Sequence, residues 1–204
     1  EFDNVPVVSP LQHDSELAYV IFTSGSTGEP KGVQVSRRNL AFLIDWMLAA
    51  IPKLESGRVS QFSRISFDLS IGEIFFTLMS GQALAPVEKD ADRARPLRLI
   101  AERELTHLIA VPSMLDLAYR ENQLLPRNHS SHNLKFALFI GEPLRRRHVH
   151  IAKTLFPNLD SLLNCYGPTE ATVLCASKEI DLAEPADYLD TTVMDIGHPL
   201  PEHH

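Results

Sequence analysis

Residues 17–32 read Leu-Ala-Tyr-Val-Ile-Phe-Thr-Ser-Gly-Ser-Thr-Gly-Glu-Pro-Lys-Gly, and this stretch decides the fold class. Its first six residues form a short apolar run that is partly β-branched, which predicts a buried strand over residues 17–22. The ten residues that follow combine glycines, hydroxyls and a lysine in a tight loop. Glycines permit unusual backbone angles, N–H groups and hydroxyls donate hydrogen bonds, and the lysine adds a cation. The loop is therefore suited to hold a polyphosphate.

The loop does not match the P-loop of NTPases, and a surface hairpin is the alternative to a phosphate-binding role. The P-loop of NTPases places Gly-Lys together and follows it with Ser or Thr, whereas here Lys31 follows Gly28 by three residues and precedes Gly32. A flexible surface hairpin rich in serine and glycine has the same composition. A buried strand that leads directly into the loop favours the phosphate interpretation.

Apolar strand-like and helix-like stretches alternate along the rest of the chain. Strands are predicted over residues 60–66, 83–87, 107–111, 136–140, 161–165 and 173–180. Helices are predicted over residues 39–50 with Ser36 as N-cap, 70–79 ending at Gly81, 96–104, from Pro112 onward, and 145–156. This alternation predicts an α/β fold with a mostly parallel sheet and helices on both faces. Residues 1–16 are predicted to be a linker, residues 17–204 the folded part, and residues 122–133 a loop.

Composition narrows the function classes. With 204 residues, 44% of them hydrophobic, the chain can bury one substantial core, and its net charge of −7 argues against nucleic acid or anionic membrane as a partner. No apolar run approaches the roughly 20 residues of a membrane span and no signal peptide is evident, so a cytoplasmic protein is expected. Cys165 and Cys175 are expected to be structural, and Arg145–Arg147 a solvated helix face. His148 and His150 lie two apart on a helix, which disfavours a shared metal.

Residues 166–170, Tyr-Gly-Pro-Thr-Glu, follow a predicted strand and combine an aromatic ring, a turn, a hydroxyl and a carboxylate. Tyr166 can stack on a purine, Thr169 can donate to a phosphate, and Glu170 can bind Mg²⁺. A capping turn in which Thr169 and Glu170 satisfy a helix start explains the same residues.

Asp68 lies among apolar neighbours, Ile65, Phe67, Leu69 and Ile71. Burial of a carboxylate in such surroundings costs several kcal/mol unless a cation meets it. Aspartate is also a favoured helix N-cap, and the spacing alone does not separate these two roles.

Residues 19–33 resemble the phosphate-loop signature of adenylate-forming enzymes, the superfamily of acyl-CoA synthetases, luciferases and peptide-synthetase adenylation domains. Residues 166–170 resemble its AMP-binding motif, and Gly141-Glu142 its turn beside the adenine. The pair Phe67-Asp68 resembles the signature of amino-acid-activating members, in which the aspartate binds the α-ammonium group. The order of these motifs over residues 19–174 is most similar to D-alanine:D-alanyl carrier protein ligases and amino-acid adenylation domains.

The resemblance implies a flavodoxin-like subdomain of an adenylation domain that uses ATP and Mg²⁺ to convert a small or neutral amino acid into an aminoacyl-AMP, which is then passed to a carrier-protein thiol. It implies phosphate contacts from Thr23, Ser24, Gly25, Ser26, Thr27, Gly28 and Lys31. It implies a nucleotide platform of Gly141, Glu142, Asn164, Tyr166, Gly167 and Thr169, with Lys31, Thr169 and Glu170 catalytic and Glu170 binding the metal. It implies an acyl pocket of Asp68, Leu69, Gly72, Ala110, Leu138, Ile140, Cys165, Val173 and Leu174.

The chain departs from the family pattern in two respects. Ile140 stands where D-alanine ligases usually have cysteine, which leaves the amino acid open. The ribose-binding aspartate, the hinge and the C-terminal lysine are expected beyond residue 204, which predicts weak nucleotide binding and little turnover for the chain by itself. Acyl- or aryl-CoA ligation and a non-catalytic binding module are the alternative functions.

Overall fold

A computed structural model describes residues 16–24, 29–125 and 133–201. The strands are β1 Leu17–Thr23, β2 Lys31–Ser36, β3 Arg58–Gln61, β4 Ala83–Pro86, β5 His107–Ala110, β6 Phe136–Phe139, β7 Ser161–Tyr166, β8 Ala176–Glu179 and β9 His198–Pro199. The helices are α1 Arg37–Ala50, α2 Leu69–Ser80, α3 Asp90–Arg93, α4 Pro96–Glu102, α5 Ser113–Leu124 and α6 Arg146–Leu155, with a 3₁₀-helix at Thr169–Ala171.

Seven strands form the main sheet, in the order β4-β3-β5-β6-β7-β8-β9. The first five are mutually parallel, as the alternation of strands and helices predicted. Strands β8 and β9 add an antiparallel edge. The connection from β7 to β8 spans residues 167–175, which is too short for the crossover that a parallel neighbour needs.

Helices cover both faces of this sheet, and each face has its own apolar core. On one face α4, α5 and α6 pack on the strands through residues such as Ile100, Leu115 and Ile151. On the other face α1 and α2 do so through Met47 and Phe76. The predicted α/β architecture with helices on both faces is confirmed.

Local signals place several helix ends where the sequence predicted them. The Ser36 hydroxyl accepts a hydrogen bond from the backbone N–H of Asn39 at 3.1 Å and so caps α1. Gly81 ends α2 in the left-handed conformation with φ +71°, which an L side chain rarely adopts. The last three residues of α5 belong to residues 122–133, so the predicted loop begins later, and residues 126–132 lie outside the described residues.

Strand β3 ends at Gln61 rather than at the predicted residue 66. The reason is Glu73 of α2, whose carboxylate accepts hydrogen bonds from the backbone N–H groups of Phe62 and Ser63 at 2.9 and 3.3 Å. The chain therefore leaves the sheet and runs onto α2. The strand predicted over residues 173–180 is also shorter in the structure, where β8 begins at residue 176.

The first strand was predicted to be buried, and the structure shows that it is partly exposed. It pairs antiparallel with β2, which the sequence analysis did not predict, in a two-stranded sheet of its own. Val20 and Phe22 on its outer face are 42% and 69% exposed. The glycine-rich loop therefore connects the strands of a hairpin, the topology of the alternative considered above. Within the described residues, no helix is long and apolar enough to cross a membrane.

Candidate active site

The segments that the sequence singled out meet at one edge of the main sheet. Residues 62–68 follow β3, residues 140–142 follow β6, and residues 167–170 follow β7. Because these strands are parallel, their carboxyl ends lie together. Open α/β sheets bind ligands in the crevice outside this edge.

A cavity of about 280 Å³ opens there. It is lined by Gly141, Glu142, Pro143, Leu144, Asn164, Cys165, Tyr166, Gly167, Pro168, Val193, Met194 and Ile196. Five of the six residues expected to form the nucleotide platform are among them, and Thr169 is not. The structure therefore brings most of that group together around one mostly apolar space.

Asn164 is the buried polar side chain of this cavity, 2% exposed near the end of β7. Its Nδ2 donates a hydrogen bond to the backbone oxygen of Asp195 at 2.8 Å. Only the amide nitrogen can donate to a carbonyl, so this bond leaves the side-chain oxygen as an acceptor.

Gly141 and Glu142 form the turn on another side of the cavity. Gly141 has φ +88°, a conformation that favours glycine. The Glu142 carboxylate accepts hydrogen bonds from the backbone N–H and the hydroxyl of Ser113, at 3.0 and 2.9 Å. This side chain therefore caps the start of α5, a role that the sequence analysis did not predict.

The turn at residues 166–170 is shaped by its glycine. A Cβ on Gly167 would lie 2.3 Å from the Cα of Leu174, so no other residue fits there. Tyr166 is half exposed beside the cavity, and Glu170 is exposed. The side chains of Thr169 and Glu170 make no hydrogen bond to any residue that the structure describes, which removes the support for a capping turn.

The phosphate-loop residues are described only in part. Thr23 pairs with Lys31 at the end of the β1–β2 hairpin, and Ser24 follows. Gly25, Ser26, Thr27 and Gly28 lie outside the described residues. Strand β2 packs beside the 3₁₀-helix, so the strand that begins with Lys31 is adjacent to the turn of Thr169 and Glu170.

Asp68 precedes α2 but does not cap it. It has helical dihedral angles, φ −60° and ψ −30°, and its carboxylate makes no capping hydrogen bond. Asp68 therefore occupies the N-cap position of α2, as that alternative supposed, but without the hydrogen bond of a capping side chain. Asp68 is half-buried, and its carboxylate forms no ion pair with the described residues.

Tyr19 is a neighbour of Asp68 that sequence reasoning missed. Burial of the phenol, with the negative charge of Asp68 as a second cause, raises the pKa of Tyr19 to about 12. Its buried hydroxyl has no hydrogen-bond partner among the residues that the structure describes. One sequence signal could have indicated Tyr19: side chains alternate along β1, so Tyr19 points inward when Val20 points outward.

Most of the predicted acyl-pocket residues share one core cluster, on the α1/α2 face of the sheet. Its members include Leu69, Leu138, Ile140, Cys165, Val173 and Leu174. Burial raises the pKa of the Cys165 thiol to about 12, so this side chain is neutral. Val173 has φ +72°, a strained conformation for a β-branched residue and one that is typical of functional sites.

Gly72 and Ala110 complete the predicted pocket set, with different outcomes. A Cβ on Gly72 would lie 3.5 Å from the sulfur of Met47 and 4.0 Å from Val173, so Gly72 faces the same cluster. Ala110 packs in the core on the opposite face of the sheet. Because side chains alternate along β5, its neighbour Ile109 faces the α1/α2 side instead. The side chain of Ala110 does not join the group.

Comparison with known proteins identifies the family. The family model described as AMP-binding enzyme matches residues 2–204. The chain belongs to the AMP-binding enzyme family. The resemblance noted in the sequence is thereby confirmed.

Similar sequences within this family include D-alanine–D-alanyl carrier protein ligases. That of Bacillus licheniformis is 37% identical over 190 residues, which cover 88% of this chain and 36% of the relative. That of Listeria monocytogenes serotype 4a is 34% identical over 174 residues, with 84% and 34% covered. The chain spans about a third of the length of the curated relatives that it matches.

Solved structures of this family share the fold. The Vibrio cholerae adenylation domain AlmE, in complex with glycyl-adenosine-5'-phosphate, matches with a TM-score of 0.80 and 31% identity, covering 93% of this chain and 34% of that one. The nonribosomal peptide synthetase FmoA3 matches with a TM-score of 0.78 and 26% identity, covering 95% and 20%. The chain thus shares the α/β fold of these proteins over about a third or less of their length.

Proposed function

We propose that the protein containing this chain activates a small neutral amino acid with ATP to give an aminoacyl-AMP and pyrophosphate. The observation that carries this proposal is Asp68, a half-buried carboxylate with no cation beside it among the described residues. A carboxylate in such a place is stabilised by a positive partner, and the α-ammonium group of an amino acid provides one. The unpaired hydroxyl of Tyr19 nearby offers a further polar contact.

The residues around Gly72 support a small substrate. Met47 of α1 is 1% exposed and occupies the space over Gly72, which a longer substrate side chain would need. Ile140 is bulky and lies in the same apolar cluster. The residues predicted to line the pocket are, apart from Asp68, apolar, small or weakly polar, which favours a neutral amino acid. Related proteins carry names that mention D-alanine and a glycyl adenylate, both consistent with this size.

The nucleotide is proposed to lie with its adenine in the 280 Å³ cavity and its phosphates toward the β1–β2 hairpin. Tyr166 supplies a ring for stacking and Asn164 an acceptor for the adenine amino group. The substrate carboxylate would attack the α-phosphorus, so that a bond forms to the carboxylate oxygen and the bond to pyrophosphate breaks. Lys31 would offset negative charge on the leaving pyrophosphate, and Thr169 would donate to a phosphate oxygen.

Magnesium fits this arrangement with Glu170 as its protein ligand. The described residues contain no group of three or more His, Cys, Asp or Glu side chains able to hold a metal. Mg²⁺ commonly uses one or two carboxylates together with substrate phosphates and water, so one exposed glutamate beside the phosphates suffices. The ion would neutralise phosphate charge when bound.

A carrier-protein thiol is the proposed acceptor of the aminoacyl group, supported by the relatives that are carrier protein ligases. A reaction in the cytoplasm is proposed with it, because the proposed activation consumes ATP.

Amino-acid-dependent ATP–pyrophosphate exchange tests the proposal, with the whole protein and this chain assayed side by side against small neutral amino acids. We expect exchange by the whole protein and a loss of about 100-fold or more in Asp68→Ala, since removal of one member of a buried charge pair costs about 3–5 kcal/mol. The control Asp45→Ala, at an exposed position of α1, should retain exchange. Amino-acid-dependent exchange that is indifferent to Asp68→Ala would remove Asp68 as the ammonium site. Exchange only with other carboxylic acids would indicate acyl- or aryl-acid activation, and absence of both ATP and amino-acid binding would indicate a non-catalytic binding module.

A further inference from the structure

Residues 181–197, here called the strap, connect β8 to β9 and run along α6. The Arg146 guanidinium lies 3.6 Å from the carboxylate of Glu184 and 3.9 Å from that of Asp190. The Arg145 guanidinium donates a hydrogen bond to the backbone oxygen of Thr191 at 2.8 Å. The side chains of Arg145 and Arg146 therefore bind the strap, and that of Arg147 pairs with Asp116 of α5 at 2.8 Å, so the three arginines do not form the solvated helix face that was expected.

Further contacts hold the same segment. Lys153 donates to the backbone oxygen of Glu184 at 3.1 Å, and His150 lies 2.9 Å from the backbone oxygen of Ala186. Tyr188 stacks on Tyr119 of α5 with ring centres 4.8 Å apart. The strap is thus anchored on two helices along most of its length.

The anchored strap ends as one wall of the nucleotide cavity. Val193, Met194 and Ile196 line that cavity. The backbone N–H of Met194 donates to the oxygen of Leu144, another lining residue, at 2.8 Å. The position of this wall is set by the side-chain tethers that precede it together with the backbone N–H groups of Arg146 and Arg147, which donate to the oxygens of Thr192 and Asp190 at 3.0 and 2.8 Å.

The strap also orients Asn164, the buried polar side chain that lines the cavity. The backbone oxygen of Asp195 accepts a hydrogen bond from the Nδ2 of Asn164, which turns Oδ1 of Asn164 away from the strap. An amide oxygen accepts from an exocyclic amino group, as in adenine, and repels a carbonyl oxygen at the same position, as in hypoxanthine. If the strap moved away, the Asn164 amide could rotate and donate instead.

We propose that Arg145 and Arg146 are positioning residues for base selectivity, because they hold the strap that keeps Asn164 in its acceptor orientation. This inference rests on the proposed binding of an adenine nucleotide in the 280 Å³ cavity. Neither arginine lines that cavity, so neither contacts the base directly.

The test compares the affinities of AMP and inosine monophosphate for this 204-residue chain, measured by NMR titration. Wild type should prefer AMP at least tenfold, and in Arg145→Gln/Arg146→Gln the AMP-to-inosinate ratio should fall about fivefold, with faster hydrogen exchange at the Met194 amide. The matched control is Arg98→Gln on α4, whose ion pair with Glu102 at 2.6 Å is remote from the strap. It should keep the wild-type ratio.

Three outcomes would overturn the inference. An unchanged AMP-to-inosinate ratio in the double variant would do so and leave the proposed function intact. Equal weakening of both nucleotides would show a structural role without selectivity. Failure of the wild-type chain to bind either nucleotide would remove this inference together with the proposed adenine site.

Discussion

At the scale of single residues, two carboxylates five positions apart have opposite environments. Glu73 is fully buried and accepts backbone hydrogen bonds from Phe62 and Ser63. Burial raises the pKa of Glu73 to about 8, although these bonds and the charge of Arg93 act in the other direction. Glu73 is therefore largely protonated at neutral pH, which leaves Asp68 as the carboxylate suited to bind a cation.

The raised pKa of Glu73 predicts a pH-dependent stability. Between its ordinary value of 4.5 and about 8, the unfolded carboxyl is ionised while the folded one keeps its proton. The free energy of unfolding should therefore fall by about 1.4 kcal/mol per pH unit in this window and level off above it. Glu73→Gln cannot titrate, so urea unfolding from pH 5 to 9 should show a smaller decline. Parallel profiles of variant and wild type would contradict this account.

At the scale of helices and strands, the sequence predicts an end that depends on a local signal. It does not predict an end that depends on distant residues. Helix boundaries lie within a few residues of Ser36, of Gly81 and of the prolines at the starts of α4 and α5. The end of β3 depends on Glu73, twelve residues beyond Gln61, and no local pattern reveals it. Strand β2 was missed because its polar residues conceal the alternation, since only Val35 is fully buried.

Helix α4 illustrates a boundary supplied by another element. Its N-cap residue Arg95 makes no capping bond, and the Glu121 carboxylate of α5 instead accepts from the N–H groups of Leu97 and Arg98 at 2.8 and 3.3 Å. We expect Glu121→Ala to lower the free energy of unfolding by about 1–2 kcal/mol in urea titrations.

The control for this loss is Glu102→Ala. Glu102 forms an exposed i,i+4 ion pair with the same Arg98, a kind of contact that contributes about 0.5 kcal/mol or less. Equal destabilisation by the two substitutions would show that Glu121 acts as surface charge and does not cap α4.

At the scale of the whole molecule, the site is assembled by the parallel order of β3, β5, β6 and β7. The motifs at residues 67–68, 141–142 and 166–170 are far apart in the sequence, and they could be predicted to converge because each lies at or just after the end of a strand of this sheet. The position of the strap could not be predicted, since it depends on Arg145 and on residues of α6 rather than on a pattern in the strap's own sequence. Ala110 was misplaced for a related reason: motif matching identifies a position but not the face of the sheet toward which its side chain points.

The most direct test of an amino-acid adenylate site is the binding of two sulfamoyl-adenosine analogues to this chain by calorimetry. One carries an alanyl group and the other a propionyl group, so they differ only in the ammonium. We expect the alanyl compound to bind at least about tenfold more tightly, and Asp68→Asn, which keeps the size of the side chain, to abolish the difference. Equal affinities of the two compounds for the wild-type chain would contradict the assignment of Asp68 as the ammonium site.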